Sequence, residues 1–232
     1  MPPEQRVAGS VPAASPPSFL GNYLQRRYTI LFYTVLFTLV SSPILSALHF
    51  SGTVIESFLA ASLLAAILPA SSVRSRPILI AVLVLVWLAR PLTLWLGHPF
   101  WSAMTLAAWT VIGLVAAAAA LRFAMRATRV EGEHLYAALS AYLLSGIFFG
   151  LLYFVIEQVS PGTFTLSGRF SQNSAIYFSF VTLATLGYGD ISPHGDVARG
   201  LAIIEGIGGQ LFLAVLVARL VSLYSKPANE SN

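Results

Sequence analysis

Cysteine is absent from all 232 residues, which excludes a disulfide framework and any thiolate metal site. Charge is almost as scarce: 9% of residues are charged, 56% are hydrophobic, and mean hydropathy is +0.77. Soluble domains carry about a quarter charged residues, so a water-exposed globule is excluded and the chain belongs in a bilayer. The histidines, His49, His98, His134 and His194, are dispersed without metal-ligand spacing. No Ser/His or paired-Asp arrangement recurs at matching depth to support hydrolysis. Enzyme chemistry, a cofactor and a small-molecule substrate are therefore not expected. A net charge of +4 raises nucleic acid as a partner, but the placement of the charges argues against it.

What fills the chain is apolar runs near the length of a bilayer crossing, which needs about 20 residues. They cover roughly 28–48, 53–70, 77–97, 101–124, 136–159 and 198–225. Arg6, Arg26 and Arg27 precede the first, Arg74 and Arg76 separate the second from the third, Arg122, Arg126 and Arg129 follow the fourth, and Lys226 follows the sixth. The connections around His49 and His98 carry no Lys or Arg. Excess positive charge stays on the cytoplasmic side. The expected topology is therefore six transmembrane helices in the plasma (inner) membrane, with both termini cytoplasmic and the insert 160–197 on the outside. The fold class that follows is an all-α integral membrane protein.

The domain reading has five parts. Residues 1–27 form a cytoplasmic N-terminus, disordered where five of the thirteen prolines crowd residues 1–17, with a short interfacial helix from Phe19 to Arg27. Residues 28–124 form a peripheral transmembrane domain, 125–135 a cytoplasmic linker, 136–225 a pore domain, and 226–232 a cytoplasmic tail too short for a ligand-binding module. The GxxxG of Gly146 and Gly150, and the run Ala116 to Ala120, read as close helix packing.

The chemistry lies in the insert. Ser174 to Ala184 is an amphipathic stretch of about 11 residues, about 16 Å of helix, which reaches only halfway across hydrocarbon. It runs into Thr185-Leu186-Gly187-Tyr188-Gly189, where two glycines permit backbone angles closed to other residues. Irregular backbone at membrane depth is tolerated only where it is buried in protein or lines an aqueous path. A bare monovalent cation in low dielectric costs tens of kcal/mol, and stacked carbonyls can replace its water. The Thr185 hydroxyl can add a ring of oxygens at the inner end. One insert per chain supplies a quarter of such a ring.

Thr182 through Asp190, in the pattern T-x-x-T-x-G-Y-G-D, resembles the signature of the prokaryotic-type potassium channel family of tetrameric P-loop cation channels. The resemblance covers 136–225 and implies a pore helix and re-entrant filter loop between the last two spans. It implies K+ as the bound metal ion at Thr185, Leu186, Gly187, Tyr188 and Gly189, with Thr182, Asp190, Tyr177 and Glu205 as supporting residues. Gly209, with Gly208 beside it, falls at the family's inner-helix hinge, and Gln210, Leu213 and Val217 fall where the family lines its cavity. Pro193 and Arg199 also match family positions. Leu186 stands where valine or isoleucine is commoner and is expected to pack behind the filter. Tyr177 and Phe178 stand where many members have two tryptophans, and Val181 where some have glutamate. Tyr177 can still bond Asp190, whereas Phe178 cannot donate to Tyr188.

The remaining charges read more plainly. Arg122, Arg126 and Arg129 share a helix face, but no basic residue lies between Trp101 and Leu121, so they read as a cytoplasmic anchor rather than a voltage sensor. Glu56 and Arg90 read as an ion pair in the outer half of the membrane. Glu205 reads as a protonated carboxyl or one bonded to Ser179 or Thr182, supporting the pore helix, with gating or pH response as the second reading. The function expected is passive K+ conduction by a homotetramer surrounded by membrane lipid, not strongly voltage-gated. The rivals are a weakly selective monovalent cation channel and a non-conducting regulatory subunit.

Overall fold

The computed structural model describes residues 26–48, 57, 60, 76–95, 97, 99–126 and 132–224. Among them the order is α1 Arg27–Ala47, α2 Arg76–Trp95, α3 Pro99–Met125, α4 Gly132–Val159, β1 Phe164–Thr165, α5 Gln172–Leu183, β2 Ser192–Pro193 and α6 Asp196–Tyr224. Among the described residues, four stretches are long and apolar enough to cross a membrane: Arg27–Leu45, Phe100–Met125, Gly132–Val159 and Asp196–Ser222. The protein is a helical, multi-pass membrane protein. The spans expected at 28–48, 77–97, 101–124, 136–159 and 198–225 correspond to α1, α2, α3, α4 and α6. The span expected at 53–70, apart from Ser57 and Ala60, lies outside the described residues. So do the pairing of Glu56 with Arg90, Arg129, and both tails.

The main core lies between α1, α3 and α4. Alanines 117, 120 and 124 of α3 and 137, 138 and 141 of α4 are all buried, and side chains this small let two backbones come close. Leu31 and Val35 of α1, Leu106 and Trp109 of α3, and Leu144, Phe148 and Leu151 of α4 fill the space around them.

α4 begins at Gly132, four residues ahead of the apolar run, because Glu133 is put to use there. The first amides of a helix have no partner within it. In α1 the amides of Tyr28 and Thr29 donate to the Glu133 carboxylate at 2.9 and 3.3 Å, and the Thr29 hydroxyl donates to it as well. A carboxylate from another helix thus caps α1 at its positive end. Arg27 lies 4.9 Å over the rings of both Tyr28 and Phe123, closing the corner where α1, α3 and α4 meet.

Between α4 and α6 the chain forms a small unit around α5. Phe164 pairs with Pro193 and Thr165 with Ser192 in an antiparallel pair that ties the two ends of the insert together. Glu157, near the end of α4, accepts from the amides of Gly162 at 2.8 Å and Phe164 at 3.1 Å, which fixes the turn into β1.

Candidate functional site

The short helix α5 spans 12 residues, Gln172–Leu183, close to the expected Ser174 to Ala184. Ser171 caps it by accepting from the Ser174 amide at 3.1 Å. Its outer half is held by aromatic rings: Phe178 meets Tyr153 at 5.0 Å and Phe164 at 5.3 Å, both edge-on, and Phe164 stacks on Phe170 at 4.5 Å. Phe178 is thus held by ring packing against Tyr153 of α4 and Phe164 of β1. The glycines of the GxxxG seat α5 on α4. A Cβ on Gly150 would lie 2.5 Å from the Ile176 Cα, and one on Gly146 would lie 2.6 Å from the Phe180 ring.

From the C-terminus of α5 the chain continues as Thr185 to Gly189 with positive φ at every second residue: Thr185 at 55°, Gly187 at 58° and Gly189 at 77°. An alternation of this kind lets successive carbonyls face one side. Glycine adopts positive φ freely. For a β-branched residue such as Thr185 it is a genuine outlier, the kind of strain that persists where function requires it. The base of this segment is pinned by the Thr185 amide donating to Thr182 O at 3.0 Å and the Leu186 amide donating to Val181 O at 2.9 Å. Residues 184–190 are all exposed on this chain. Leu186, expected to pack behind the filter, is 56% exposed, because its own chain covers less than half of it.

At the base of this segment, Gln210 of α6 donates from Nε2 to the Thr185 hydroxyl at 3.1 Å. Gln210, Leu213 and Val217 are exposed, and their spacing puts them on one helix face, so the face that touches Thr185 continues downward through Leu213 and Val217. Gly209, on the neighbouring face, is buried against α5, and a Cβ there would lie 2.3 Å from the Leu183 carbonyl oxygen. Nothing lies within 4 Å of a Cβ placed on Gly208.

Beyond this segment, the Asp190 carboxylate acts on the Tyr177 phenol and raises it above the ordinary tyrosine range, chiefly as a hydrogen-bond acceptor, with desolvation and the Asp190 charge adding to the shift. Arg199 donates from Nε to the Pro193 carbonyl at 3.1 Å, securing β2 to the start of α6.

Behind α5, Glu205 is buried, 1% exposed. Tyr153 donates to Glu205 Oε2 at 2.7 Å, Ser179 Oγ is bonded to Oε1, and Ser179 Oγ also reaches the Gly146 carbonyl at 2.6 Å. Ser179, not Thr182, is thus the α5 partner of Glu205. Sequence reasoning missed Tyr153, Glu157 and Glu133. Each is a polar residue inside or at the edge of an apolar run, the one signal that could have flagged it.

A family profile described as Ion channel matches residues 137–226, from the first turns of α4 to just past α6. Over 90 residues the chain is 36% identical to Inward rectifier potassium channel Kirbac3.1 of Paramagnetospirillum magnetotacticum, covering 37% of this chain and 28% of that protein. Over 100 residues it is 30% identical to Protein LctB of Bacillus caldotenax, covering 40% of this chain and 74% of that protein. Over 91 residues it is 36% identical to Two pore potassium channel c of Oryza sativa subsp. japonica, covering 38% of this chain and 18% of that protein. The chain therefore spans little more than a quarter of the first of these relatives and about three quarters of the second. No solved structure matches it.

Proposed function

The chain belongs to the potassium channel family of ion channels, a channel and not an enzyme, and on that premise we propose that it conducts K+ passively across the membrane as a homotetramer. The observation that carries the reading is the alternation of positive φ at Thr185, Gly187 and Gly189 at the end of a short, buried-rooted helix. Aligned carbonyls of this kind form one quarter of a set of oxygen rings, which together replace the hydration shell of a hard cation. The Thr185 hydroxyl, held by Gln210, adds the innermost ring.

Fourfold assembly gives partners to surfaces that the single chain leaves open. The apolar span of α6 is 11% buried, against 56% for α4, and Leu186 is covered when a neighbouring α5 packs beside it. Four α5 helices then aim their C-termini at a common axis. At roughly −0.5 charge each they place about −2 below the filter, and four Asp190 carboxylates add negative charge at the outer mouth. Gln210, Leu213 and Val217 line the cavity, and the Gly208–Gly209 pair is where α6 can bend.

In the membrane the reading is six spans with α5 re-entrant, both termini in the cytoplasm of the inner membrane, and a peripheral unit without a voltage sensor. Arg122 and Arg126 support the last point, since both are exposed at the cytoplasmic end of α3 and neither lies within the field.

One observation keeps the weakly selective reading as the alternative: Phe178 is committed to an aromatic cluster and gives Tyr188 no hydrogen bond. The proposal is tested with purified protein in vesicles. Potassium efflux without any other protein, from particles holding four copies of a 24.9 kDa chain, supports it. Absence of flux from correctly assembled particles would leave a regulatory subunit instead.

A further inference from the structure

Building on the reading of this chain as a channel, we propose that Glu205 carries a proton and acts as a hydrogen-bond donor that positions the pore helix. The case rests on counting protons. Three hydrogen bonds run in a line: Tyr153 to Glu205 at 2.7 Å, Glu205 to Ser179, and Ser179 to the Gly146 carbonyl at 2.6 Å. Each bond needs one proton. Tyr153 and Ser179 have one hydroxyl proton apiece, and a backbone carbonyl has none. Two protons cannot make three bonds, so the third sits on the carboxyl, whose Oε1 donates to Ser179 Oγ while Oε2 accepts from Tyr153. The alternative is a single Ser179 proton shared between Glu205 and Gly146. Sharing would leave the Glu205 and Gly146 oxygens with half a donor each, although both residues are buried.

The surroundings agree with a neutral carboxyl. Tyr153 and Ser179 are fully buried and Glu205 is 1% exposed. Phenols, Tyr153 and the more distant Tyr142 of α4, are the titratable groups that face it, and α5 presents Ser179. Among the described residues, no basic side chain is a hydrogen-bond partner of Glu205. An ionised carboxylate buried without a cation is heavily penalised, whereas a carboxylic acid held neutral in an apolar site makes a good donor.

The consequence is mechanical. Tyr153 and Gly146 belong to α4, Ser179 to α5 and Glu205 to α6, so one proton completes a tie among the three helices that flank the filter. Ser179 lies in α5 ahead of the segment that begins at Thr185, and the tie fixes how α5 is rotated. Glu205 is thus a positioning residue, acting on the filter through Ser179.

Infrared spectroscopy of the assembled protein with isotope-labelled glutamate tests this. At neutral pH the expected spectrum has a protonated-carboxyl C=O band that shifts with the label, moves to higher frequency in Tyr153→Phe and vanishes in Glu205→Gln. Because a glutamine amide can donate to Ser179 and accept from Tyr153, Glu205→Gln keeps its K+ to Na+ permeability ratio within about twofold, whereas Glu205→Ala loses about tenfold or more by leaving Ser179 and Tyr153 unpaired. A spectrum with no such band overturns the proposal, as does Glu205→Gln losing selectivity as severely as Glu205→Ala. Should Glu205→Gln fail to assemble, the labelled wild-type band and its shift in Tyr153→Phe decide the matter. The band reads protonation whether or not the protein conducts, so a failure here is separable from a failure of the channel reading.

Discussion

Alanine at two adjacent glycines of α6 separates a hinge from a packing constraint. Gly208 and Gly209 are neighbours in one helix, so converting either to alanine brings the same gain in helix propensity, about 1 kcal/mol. Their surroundings differ. A Cβ on Gly208 meets nothing within 4 Å, whereas one on Gly209 sits 2.3 Å from the Leu183 carbonyl oxygen, 2.9 Å from Leu183 Cδ1 and 3.2 Å from the Leu183 carbonyl carbon. Ordinary contact begins at 3.4 Å, so backbone must move by 3.4 − 2.3 = 1.1 Å. Overpacking of this kind costs about 1–3 kcal/mol. Because the propensity gain cancels between the two variants, their difference isolates the collision at about 1–3 kcal/mol per protomer. The residue pushed aside lies two positions before Thr185, so the displacement reaches the base of the filter. Thermal dissociation of purified tetramers is the assay, with single-channel conductance beside it. Gly208→Ala is expected to match or exceed wild type in stability, and Gly209→Ala to fall below it with altered conductance. If the two variants dissociate at the same temperature and conduct alike, the close approach of α6 to α5 is wrong.

Two further outcomes follow from single contacts. Glu133→Ala removes the cap from the Tyr28 and Thr29 amides and is expected to lower thermal stability by about 1–2 kcal/mol without changing the permeability ratio, since the loss lies at the corner of α1 and α4. Tyr177 has its phenol raised by Asp190, so the folded chain holds this proton after the unfolded chain has released it. Its stabilising contribution is complete below the ordinary phenol value of about 10 and is lost as pH rises through the folded value. Alkaline titration should therefore destabilise wild type more steeply than Tyr177→Phe, and equal slopes would remove the action of Asp190 on Tyr177 from the account.

How much of this was legible in the sequence depended on the range over which each feature is encoded. The motif Thr182 to Asp190 is contiguous, and its two glycines announce the unusual backbone; only the positive φ of Thr185 had no local sign, because β-branched residues normally avoid it. Helices α1, α3, α4 and α6 were readable as apolar runs, since bilayer thickness fixes their length. The strand pair was not, because two residues a side are too few for any alternation to register. Glu205 was readable as a costly buried carboxyl, and Ser179 was named as one partner from helical depth. Tyr153 was invisible, since it lies 52 residues away and only the packing of α4 against α6 brings it in. Gly209 was placed by family spacing as a hinge; its contact with Leu183 supplies a local reason for glycine that spacing could not reveal. Leu186 was expected to be covered, yet its own chain leaves it 56% exposed; in the proposed assembly the covering surface belongs to another copy of the chain.

The central claim is that four copies of Thr185 to Gly189 select potassium. The most direct test is the reversal potential of purified tetramers in a planar bilayer, with potassium on one side and sodium at equal concentration on the other. Each tenfold preference moves that potential by about 59 mV for a monovalent ion. The account predicts a displacement of more than about 59 mV in the direction of potassium selectivity, whereas a current reversing near zero would contradict it and leave a weakly selective cation channel.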